Sequence, residues 1–372
     1  MTSVQRLGTN MEDACDPPCI KPCGSQNLKA SMTGQSTRDQ EAMSPIDFSR
    51  LNQLRIFNQQ REDSSENELV HLTTICKAPT LRAISTYTSL LNSGLRLPEH
   101  LTHLQLECTQ YPQHTLNLPL LKYLHLFMDI KPYVQNVGPN TLLNCSSFES
   151  WTFPALVTFR LDGTVNEEDW VHTKRLVNNC SATVINFIAD FDLSAQGPFF
   201  MTYRPPVPLI PFILDSCANL AAFGLPVSSI VSKISNSSID SHPTETRNPK
   251  GPHSLLIMGM TTFDEYRHEK IDDFQQRMNN SSALEVLLGP SESRKTHSSF
   301  QRLVFPYTWS ELGGLLNEQH ETATRRTRKS LHHPSVLVWA FLSHFIGRGL
   351  DIADREGVVL GEKEMRIFDS GL

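Results

Sequence analysis

The string L-x-x-L-x-L occurs twice within residues 101–126, and this repetition constrains the fold more than any other feature of the chain. The first copy begins at Leu101 and the second at Leu121, an interval of 20 residues. The same interval separates Leu101 from Leu81. Because alternate side chains of a β-strand point to opposite faces, each string predicts a short strand with one buried face.

The strands belong to a pattern that recurs along the chain. A helix-like segment is followed by a short polar joint that often holds Cys or Asn, and then by a short apolar strand. Residues 68–75 lead through Cys76 to TLRAIS, residues 167–177 lead through NNCSA to TVINFIADF, and LIPFILDSC leads to ANLAAFGL. DEYRHEKIDDFQQRM is likewise predicted to be a helix that leads through NNSSA to a strand, LEVLLG. The apolar spacing changes from about 3.6 to 2 across each joint, which indicates helix followed by strand.

The first apolar residue of each strand serves as an anchor for the series. The anchors are Leu81, Leu101, Leu121, Leu156, Val184, Leu220, Leu255, Leu284 and Leu303. Some intervals fall within the 20–29 residues of leucine-rich repeats and others exceed them. The series predicts an α/β fold, an irregular leucine-rich-repeat-like solenoid with a curved parallel sheet and helices on the outer side. The alternative is an ordinary doubly wound α/β domain, although no Gly-rich phosphate loop follows an early strand.

Composition sets the domain limits. Residues 1–45 are rich in polar residues, Gly and Pro, so burial cannot offset chain entropy, and a disordered tail is predicted. The solenoid is predicted to span residues 46–360, and residues 361–372 a C-terminal tail.

Two further segments depart from the repeating pattern. A long exposed loop is predicted at the Ser-, Asn- and Pro-rich residues 228–253, and a smaller insertion at residues 129–150. A C-terminal helical cap is predicted over residues 308–349. It opens with TWSE, which has capping-box spacing, and its last helix begins at Pro334.

Charge and hydropathy limit the partners and the location. Lys and Arg total 33 and Asp and Glu 39, and the net charge of -6 argues against a broad nucleic-acid surface. The first residues lack the apolar run of a signal peptide, and VLVWAFL, the longest apolar stretch, is too short to span a bilayer. A cytoplasmic or nuclear protein without a membrane partner is predicted.

The cysteines do not predict a metal site. Cys15, Cys19 and Cys23 lie in CDPPCIKPC, which offers no nearby His and no C-x-x-C pair, so they are interpreted as part of the unstructured tail. The remaining five are predicted to be buried thiols: Cys76, Cys108, Cys145, Cys180 and Cys217. No cofactor is predicted.

Catalytic motifs are absent from the sequence, which contains no G-x-S-x-G, P-loop or H-E-x-x-H string. His332 and His333 are adjacent, whereas two metal ligands on one helix face need a spacing of four. The basic string RRTRK at residues 325–329 has two interpretations. It is either a nuclear-import or phosphate-contacting patch, or a solvated helix C-terminus favoured by the helix dipole.

The joint-and-strand strings resemble the leucine-rich region of F-box proteins, particularly the divergent kind common in fungi. The resembling strings are CKAPTLRAIS, LPEHLTHLQL, LPLLKYLHL, FPALVTFRL, NNCSATVINFI and DSCANLAAFGL, and the closing IGRGLDIADREG is similar to the ends of such proteins. The resemblance covers residues 66–360. It implies the substrate-recruiting arm of a ubiquitin ligase, with cullin-ligase components among the partners.

Two features depart from this family. No F-box is found: LRLPEHL at residues 95–101 imitates its opening, but a strand pattern follows. The Asn of the regular repeat is also missing, so the predicted coil is irregular. Its positions are occupied by Thr109, Asp129, Thr164 and Ser228.

Residues between the inward leucines are predicted to face the concave side of the solenoid. The predicted partner-binding residues are His103, Gln105, Glu107, Tyr123, His125, Phe127, Thr158, Arg160, Asp162, Asn186 and Asp190, with Ile188 beside the last two. Aromatic, cationic and acidic groups together suit a protein or peptide ligand. The outward positions of later strands are predicted to hold small or apolar residues instead: Ala222, Gly224, Ile257 and Gly259. The other interpretation is that these are ordinary solvated strand residues.

The sequence therefore predicts a non-catalytic protein-recognition module that resembles the substrate-binding arm of an F-box adaptor. Two alternatives remain open. One is a scaffold without a ubiquitin connection, and the other is an α/β enzyme whose site carries no recognisable motif.

Overall fold

The structure is a computed structural model in which the chain divides into two compact units. The first unit comprises Met1–Thr164 and Glu168–Thr183, and the second comprises Val165–Glu167 and Val184–Leu372. The structure describes residues 3–5, 26–31, 51–57, 66–108, 112–128, 148–163, 167–191, 209–231, 252–258, 266, 269–288, 299–327 and 334–369.

The first unit is built on a sheet whose strands follow chain order. Its strands are β1 (Ser3–Gln5), β2 (Gln26–Ser31), β3 (Leu51–Phe57), β4 (Ala83–Tyr87), β5 (His103–Cys108), β6 (Leu116–Asn117), β7 (Tyr123–Met128), β8 (Trp151–Thr152) and β9 (Thr158–Gly163). The sheet order is β1-β2-β3-β4-β5-β7-β9, while β6 pairs with β8 separately. Strands β1 and β2 are antiparallel, and each later pair is parallel.

Helices connect several of these strands. They are α1 (Glu66–Cys76), α2 (Thr88–Asn92) and α3 (Glu167–Cys180). The helices predicted at residues 68–75 and 167–177 are therefore confirmed within α1 and α3. Helix α2 was not predicted, since its five residues are too few for a clear period.

A tight turn precedes four strands of the first unit. In each, the amide of the anchor leucine donates to the carbonyl three residues earlier, over 3.1–3.2 Å. The donor–acceptor pairs are Leu81–Ala78, Leu101–Pro98, Leu121–Leu118 and Leu156–Phe153. Three of these turns hold Pro79, Pro119 or Pro154 at the second position, where a fixed φ favours the turn. Each turn and the strand that follows it therefore form one repeat.

Backbone hydrogen bonds also join each turn-and-strand repeat to the next. The carbonyl of Arg82 accepts from the amides of both Thr102 and His103, at 2.9 and 3.0 Å. The carbonyls of Thr102 and Lys122 repeat this arrangement with the start of the following strand. The paired acceptor fixes the register at the start of each strand.

Side-chain burial alternates along these strands as predicted. Leu104 and Leu106 are fully buried, whereas His103 between the anchor and the first of them is exposed. The same alternation occurs in β7, where Leu124 and Leu126 are buried. A fully buried leucine contributes about 1.5–3 kcal/mol relative to an exposed one, so each of these leucines stabilises the first unit.

The second unit also contains a parallel sheet. Its strands are β10 (Asn186–Phe191), β11 (Ala222–Pro226), β12 (Ser254–Met258), β13 (Arg302–Val304) and β14 (Asp351–Ala353), paired in that order. Its helices are α4 (Leu209–Ser216), α5 (Val227–Val231), α6 (Ile271–Asn279), α7 (Ser282–Leu288), α8 (Trp309–Thr327), α9 (Pro334–Gly347) and α10 (Glu362–Asp369).

The strand predicted at Leu284 is wrong, because LEVLLG contributes to helix α7. Ser281 Oγ accepts a hydrogen bond from the Leu284 amide over 3.3 Å, the geometry of a helix N-cap. The predicted helix before it is also shorter than expected. Helix α6 begins at Ile271, and Asp264 and Glu265 lie outside the described residues.

The prediction placed two anchors of the second unit three residues too far along the chain. Leu255 pairs with Phe223, and Leu303 pairs with Leu255. Leu255 and Leu303 therefore occupy the second inward position of their repeats, not the anchor position. The buried Pro252 and Phe300 stand at the anchor position instead. Consequently Ile257, predicted to face outward, is fully buried.

Strand β11 is buried on both faces, which explains its small residues. Ala222 and Gly224, predicted to face outward, are both buried. A Cβ atom on Gly224 would lie 3.2 Å from Ile188 Cγ1, and Ile188 itself is buried. A strand covered on both sides reads as a continuous apolar run rather than an alternating one.

The C-terminal cap follows the predicted signals. The Thr308 amide donates to Glu311 Oε2 at 2.8 Å, and the Glu311 amide donates to Thr308 Oγ1 at 3.3 Å, which confirms the capping box. Helix α9 begins at Pro334 as predicted. After β14, the amides of Asp354 and Leu360 donate to the carbonyls of Val358 and Ile352, so the chain folds back along this strand.

The structure bears on the predicted tails and loop only in part. Strands β1 and β2 lie within the predicted disordered tail, and the rest of residues 1–45 lies outside the described residues. Helix α5 occupies the start of the predicted loop at residues 228–253, and helix α10 lies in the segment predicted as a C-terminal tail. The insertion at residues 129–150 is described only from Phe148 onward.

Candidate functional site

The register of β5, β7 and β9 brings nine of the predicted binding residues onto one face of the first unit's sheet. They form three rows across the strands: His103, Tyr123 and Thr158; Gln105, His125 and Arg160; and Glu107, Phe127 and Asp162. Neighbouring parallel strands lie about 4.8 Å apart, so the side chains of each row are adjacent.

Strands β3 and β4 extend these rows with residues that were not predicted. The register continues the rows to Gln53, Arg55, Ala83, Ser85 and Tyr87. We call these five residues and the nine above the polar face. The signal was present in the sequence, since Leu51, Leu54 and Ile56 repeat the L-x-x-L-x-L pattern with Ile in the last place. All three are buried.

His125 on β7 forms an ionic cluster of the polar face with Arg160 and Asp162 on β9. His125 Nε2 lies 2.6 Å from Asp162 Oδ2, and because a carboxylate only accepts, this nitrogen donates. Arg160 Nε donates to both carboxylate oxygens, at 2.9 and 3.0 Å. The three side chains are only 11–13% exposed. The cluster is a fixed, partly buried part of the face.

Aromatic side chains lie in the first and third rows of the polar face. The rings of His103 and Tyr123 are 5.8 Å apart between centroids and tilted by 33°. Thr102 Oγ1 lies 2.9 Å from His103 Nδ1, which holds the imidazole in this orientation. Phe127 is 40% exposed, although a phenylalanine usually lies in the core. Exposed aromatic groups of this kind are typical of recognition surfaces.

A glycine ends β9 beside this face. Gly163 has a φ of +99°, which L side chains rarely adopt. A Cβ atom built here would clash with the Met128 carbonyl oxygen of β7. The backbones of β7 and β9 therefore approach each other more closely than a residue with a side chain at position 163 would allow.

The remaining two predicted binding residues, Asn186 and Asp190, lie on β10 in the second unit. Asn186 is half-buried, and the side chain of Asp190 lies outside the described residues. The candidate site is described within the first unit alone, as the polar face.

The cysteines that the structure describes are buried, as predicted. They are Cys76, Cys108, Cys180 and Cys217. Burial raises the pKa of both the Cys76 and the Cys217 thiol to about 12, so neither is a ready nucleophile at neutral pH. Cys145 and the N-terminal trio Cys15, Cys19 and Cys23 lie outside the described residues.

The structure describes some, but not all, of the other motifs considered in the sequence. Within the described part of the chain, no group of three or more His, Cys, Asp and Glu side chains could hold a metal ion. Residues 325–327 end helix α8, while the rest of the basic string, His332 and His333 lie outside the described residues. The string at residues 95–101, which imitates an F-box opening, leads through the Leu101 turn into β5, as the strand pattern predicted.

Comparison with known proteins finds no matching family model and no similar curated protein. Among the described residues, every helix is too short or too polar to cross a membrane.

Proposed function

We propose that this chain is a non-catalytic protein-recognition module that binds a protein or peptide on the polar face of its first unit. The observation that carries the proposal is the alignment of nine predicted side chains in three adjacent rows. These rows present aromatic, cationic and acidic groups together. Such mixed surfaces suit polypeptide partners rather than a single small molecule.

Preorganisation supports the proposal. The Asp162 carboxylate is held by two neighbouring side chains, and the His103 ring lies against Tyr123. Side chains that are fixed before binding lose less entropy when a partner arrives. A partner would therefore meet a surface that is already shaped.

We further propose that the repeating turn-and-strand units form an irregular leucine-rich solenoid. The support is the recurrent turn at four anchors and the parallel pairing that follows each one. With this architecture, the resemblance to F-box proteins makes substrate recruitment to a ubiquitin ligase the first role to test. A scaffold without this connection is the alternative role.

The test is quantitative affinity capture with the full chain. Tyr123, His125 and Arg160 are each replaced by Ala in one variant, and the exposed Val70, Glu99 and Lys122 in a matched control of the same unit. We expect the first variant to lose partners that the wild type and control both retain, with its fold checked by thermal unfolding. An unchanged partner list would count against the polar face as the site.

The ubiquitin connection is tested in the same experiment. Co-purification of a cullin-ligase adaptor with the wild-type chain supports the adaptor role. Partners without any ligase component support the scaffold role instead.

A further inference from the structure

The charged side chains of the polar face are already engaged within the chain. The Asp162 carboxylate accepts hydrogen bonds from Arg160 and His125. Arg55 and Glu107 each interact with another group of the protein as well. A partner on this face therefore meets charges that are already compensated.

Four neutral side chains of the same face have unused hydrogen-bonding groups. The side chains of Gln53, Ser85, Tyr87 and Gln105 make no hydrogen bond to any residue that the structure describes. All four are half-buried. Covering a polar group without replacing its hydrogen bonds to water is costly, so a partner here must supply neutral donors and acceptors.

Two of these groups face each other across a low strip of the sheet along β4. Ala83 and Ser85 point outward at the start of β4, and both are smaller than the neighbouring outward residues of β3 and β5. Gln53 pairs with Ala83 on one side, and Gln105 pairs with Ser85 on the other. Since β3 and β5 are two strand spacings apart, roughly 10 Å, β4 forms the floor of a shallow groove with a Gln amide at each wall.

From this groove we infer that the bound element of the partner is an extended polypeptide segment, recognised through its main-chain amides by Gln53 and Gln105. The inference rests on the proposed recognition function and names the chemistry of its partner. The N–H and C=O groups of an extended chain point to its two edges, so one segment along β4 presents both kinds of group to each wall. A Gln amide donates and accepts at once, which matches this pair of groups.

Charge and polarity disfavour other occupants of the groove. A charged side chain would be covered there without a counter-ion, because Arg55 and Glu107 are engaged. An apolar side chain would cover the amides of Gln53 and Gln105 and leave their hydrogen bonds unreplaced. Main-chain amides carry no charge and supply both a donor and an acceptor.

The test uses the full chain and two matched pools of immobilised nonapeptides of mixed sequence, built from uncharged residues. One pool has ordinary main-chain amides. In the other, the three central amides are N-methylated, which removes their donors. We expect the ordinary pool to retain about five- to tenfold more protein than the methylated pool. Soluble maltodextrin, a neutral competitor rich in hydroxyl groups, should not displace the protein from the peptides.

Variants locate this discrimination on the two amides. A double variant with Gln53→Met and Gln105→Met keeps long side chains but removes both amides. Its retention on the ordinary pool should fall to that on the methylated pool, while retention on the methylated pool stays at the wild-type value. An unfolded protein would lose retention on both pools. Gln113→Met, at an exposed position outside the polar face, is the matched control and should keep the wild-type discrimination.

The outcomes distinguish this inference from the proposed function. If the wild type retains both pools equally, or if the double variant still discriminates between them, recognition of main-chain amides by Gln53 and Gln105 is wrong. Displacement by maltodextrin also overturns it. If no pool is retained, the inference fails, and the recognition function fails with it only where replacing Tyr123, His125 and Arg160 leaves the captured partners unchanged.

Discussion

His125 and Asp162 lie 37 residues apart in the chain, yet His125 Nε2 donates a 2.6 Å hydrogen bond to Asp162 Oδ2. The two residues occupy adjacent strands, β7 and β9, in neighbouring rows of the polar face. Arg160 completes the cluster from the same strand as Asp162. The arrangement leaves a partly buried carboxylate that depends on both neighbours.

Replacing Asp162 by Asn should therefore destabilise the chain. The change removes the charge from a carboxylate that accepts three hydrogen bonds, two of them from the partly buried Arg160. We expect the free energy of unfolding in urea to fall by about 1–3 kcal/mol. Asp215→Asn, at an exposed site, is the control and should change it by no more than about 0.5 kcal/mol. Equal effects of the two changes would show that the cluster does not stabilise the fold.

Thr86 offers a substitution that should raise, not lower, the stability of the chain. Its side chain is 2% exposed, and its Oγ1 has no hydrogen-bond partner among the described residues. It occupies an inward position that Leu106 fills on the adjacent strand. Thr86→Val keeps the shape and removes the unsatisfied hydroxyl, so we expect thermal unfolding to show a gain of about 1 kcal/mol.

The matched control for this change is Thr88→Val, two residues later. Thr88 is also buried, but its Oγ1 donates to the Glu107 carbonyl at 3.5 Å. This variant should be no more stable than the wild type. A loss of stability in Thr86→Val would contradict the interpretation that its hydroxyl is unsatisfied.

The strands of the first unit were predictable because their signal is local. Alternating leucines after Leu101 and Leu121 require only that one face of a strand be buried. The predicted binding residues follow from the same alternation. The ionic cluster of the polar face could not be predicted, because it depends on the register of β7 against β9 across an irregular interval between anchors.

The errors in the second unit have physical causes. The apolar run after Ser281 fits a buried helix as well as a strand, and periodicity cannot separate the two in so few residues. The Ser281 cap, a side-chain hydrogen bond, decides for the helix. Pro252 was not recognised as an anchor because proline is not counted among the usual apolar core residues.

Asn179 shows how a polar joint residue can stabilise a turn. Its Nδ2 lies 3.1–3.3 Å from the carbonyl oxygens of Phe148, Glu149 and Trp151. Asn179→Ala would leave these carbonyls without their shared donor, and we expect a loss of about 1–2 kcal/mol in chemical unfolding. Asn178→Ala, at the exposed neighbouring position, is the control and should have a smaller effect. Similar losses at both sites would rule out a specific role for Asn179.

His344 on α9 should make the chain sensitive to mild acid. Burial, and secondarily the charge of Arg348, lowers the pKa of His344 from 6.5 to about 4, and its buried Nε2 has no hydrogen-bond partner among the described residues. The unfolded chain therefore takes up a proton near pH 6.5 that the folded chain refuses until about pH 4. The contribution of His344 to stability is complete above this window and decreases as the pH falls through it.

The measurement is the free energy of unfolding from pH 7 to pH 4 for the wild type and His344→Leu. Because the side chain is partly exposed, we discount the full linkage and expect the wild type to lose on the order of 1–3 kcal/mol more than the variant. His253→Leu, at an exposed position, should keep the wild-type slope. Parallel pH profiles for the wild type and His344→Leu would show that His344 is not the group that titrates in this window.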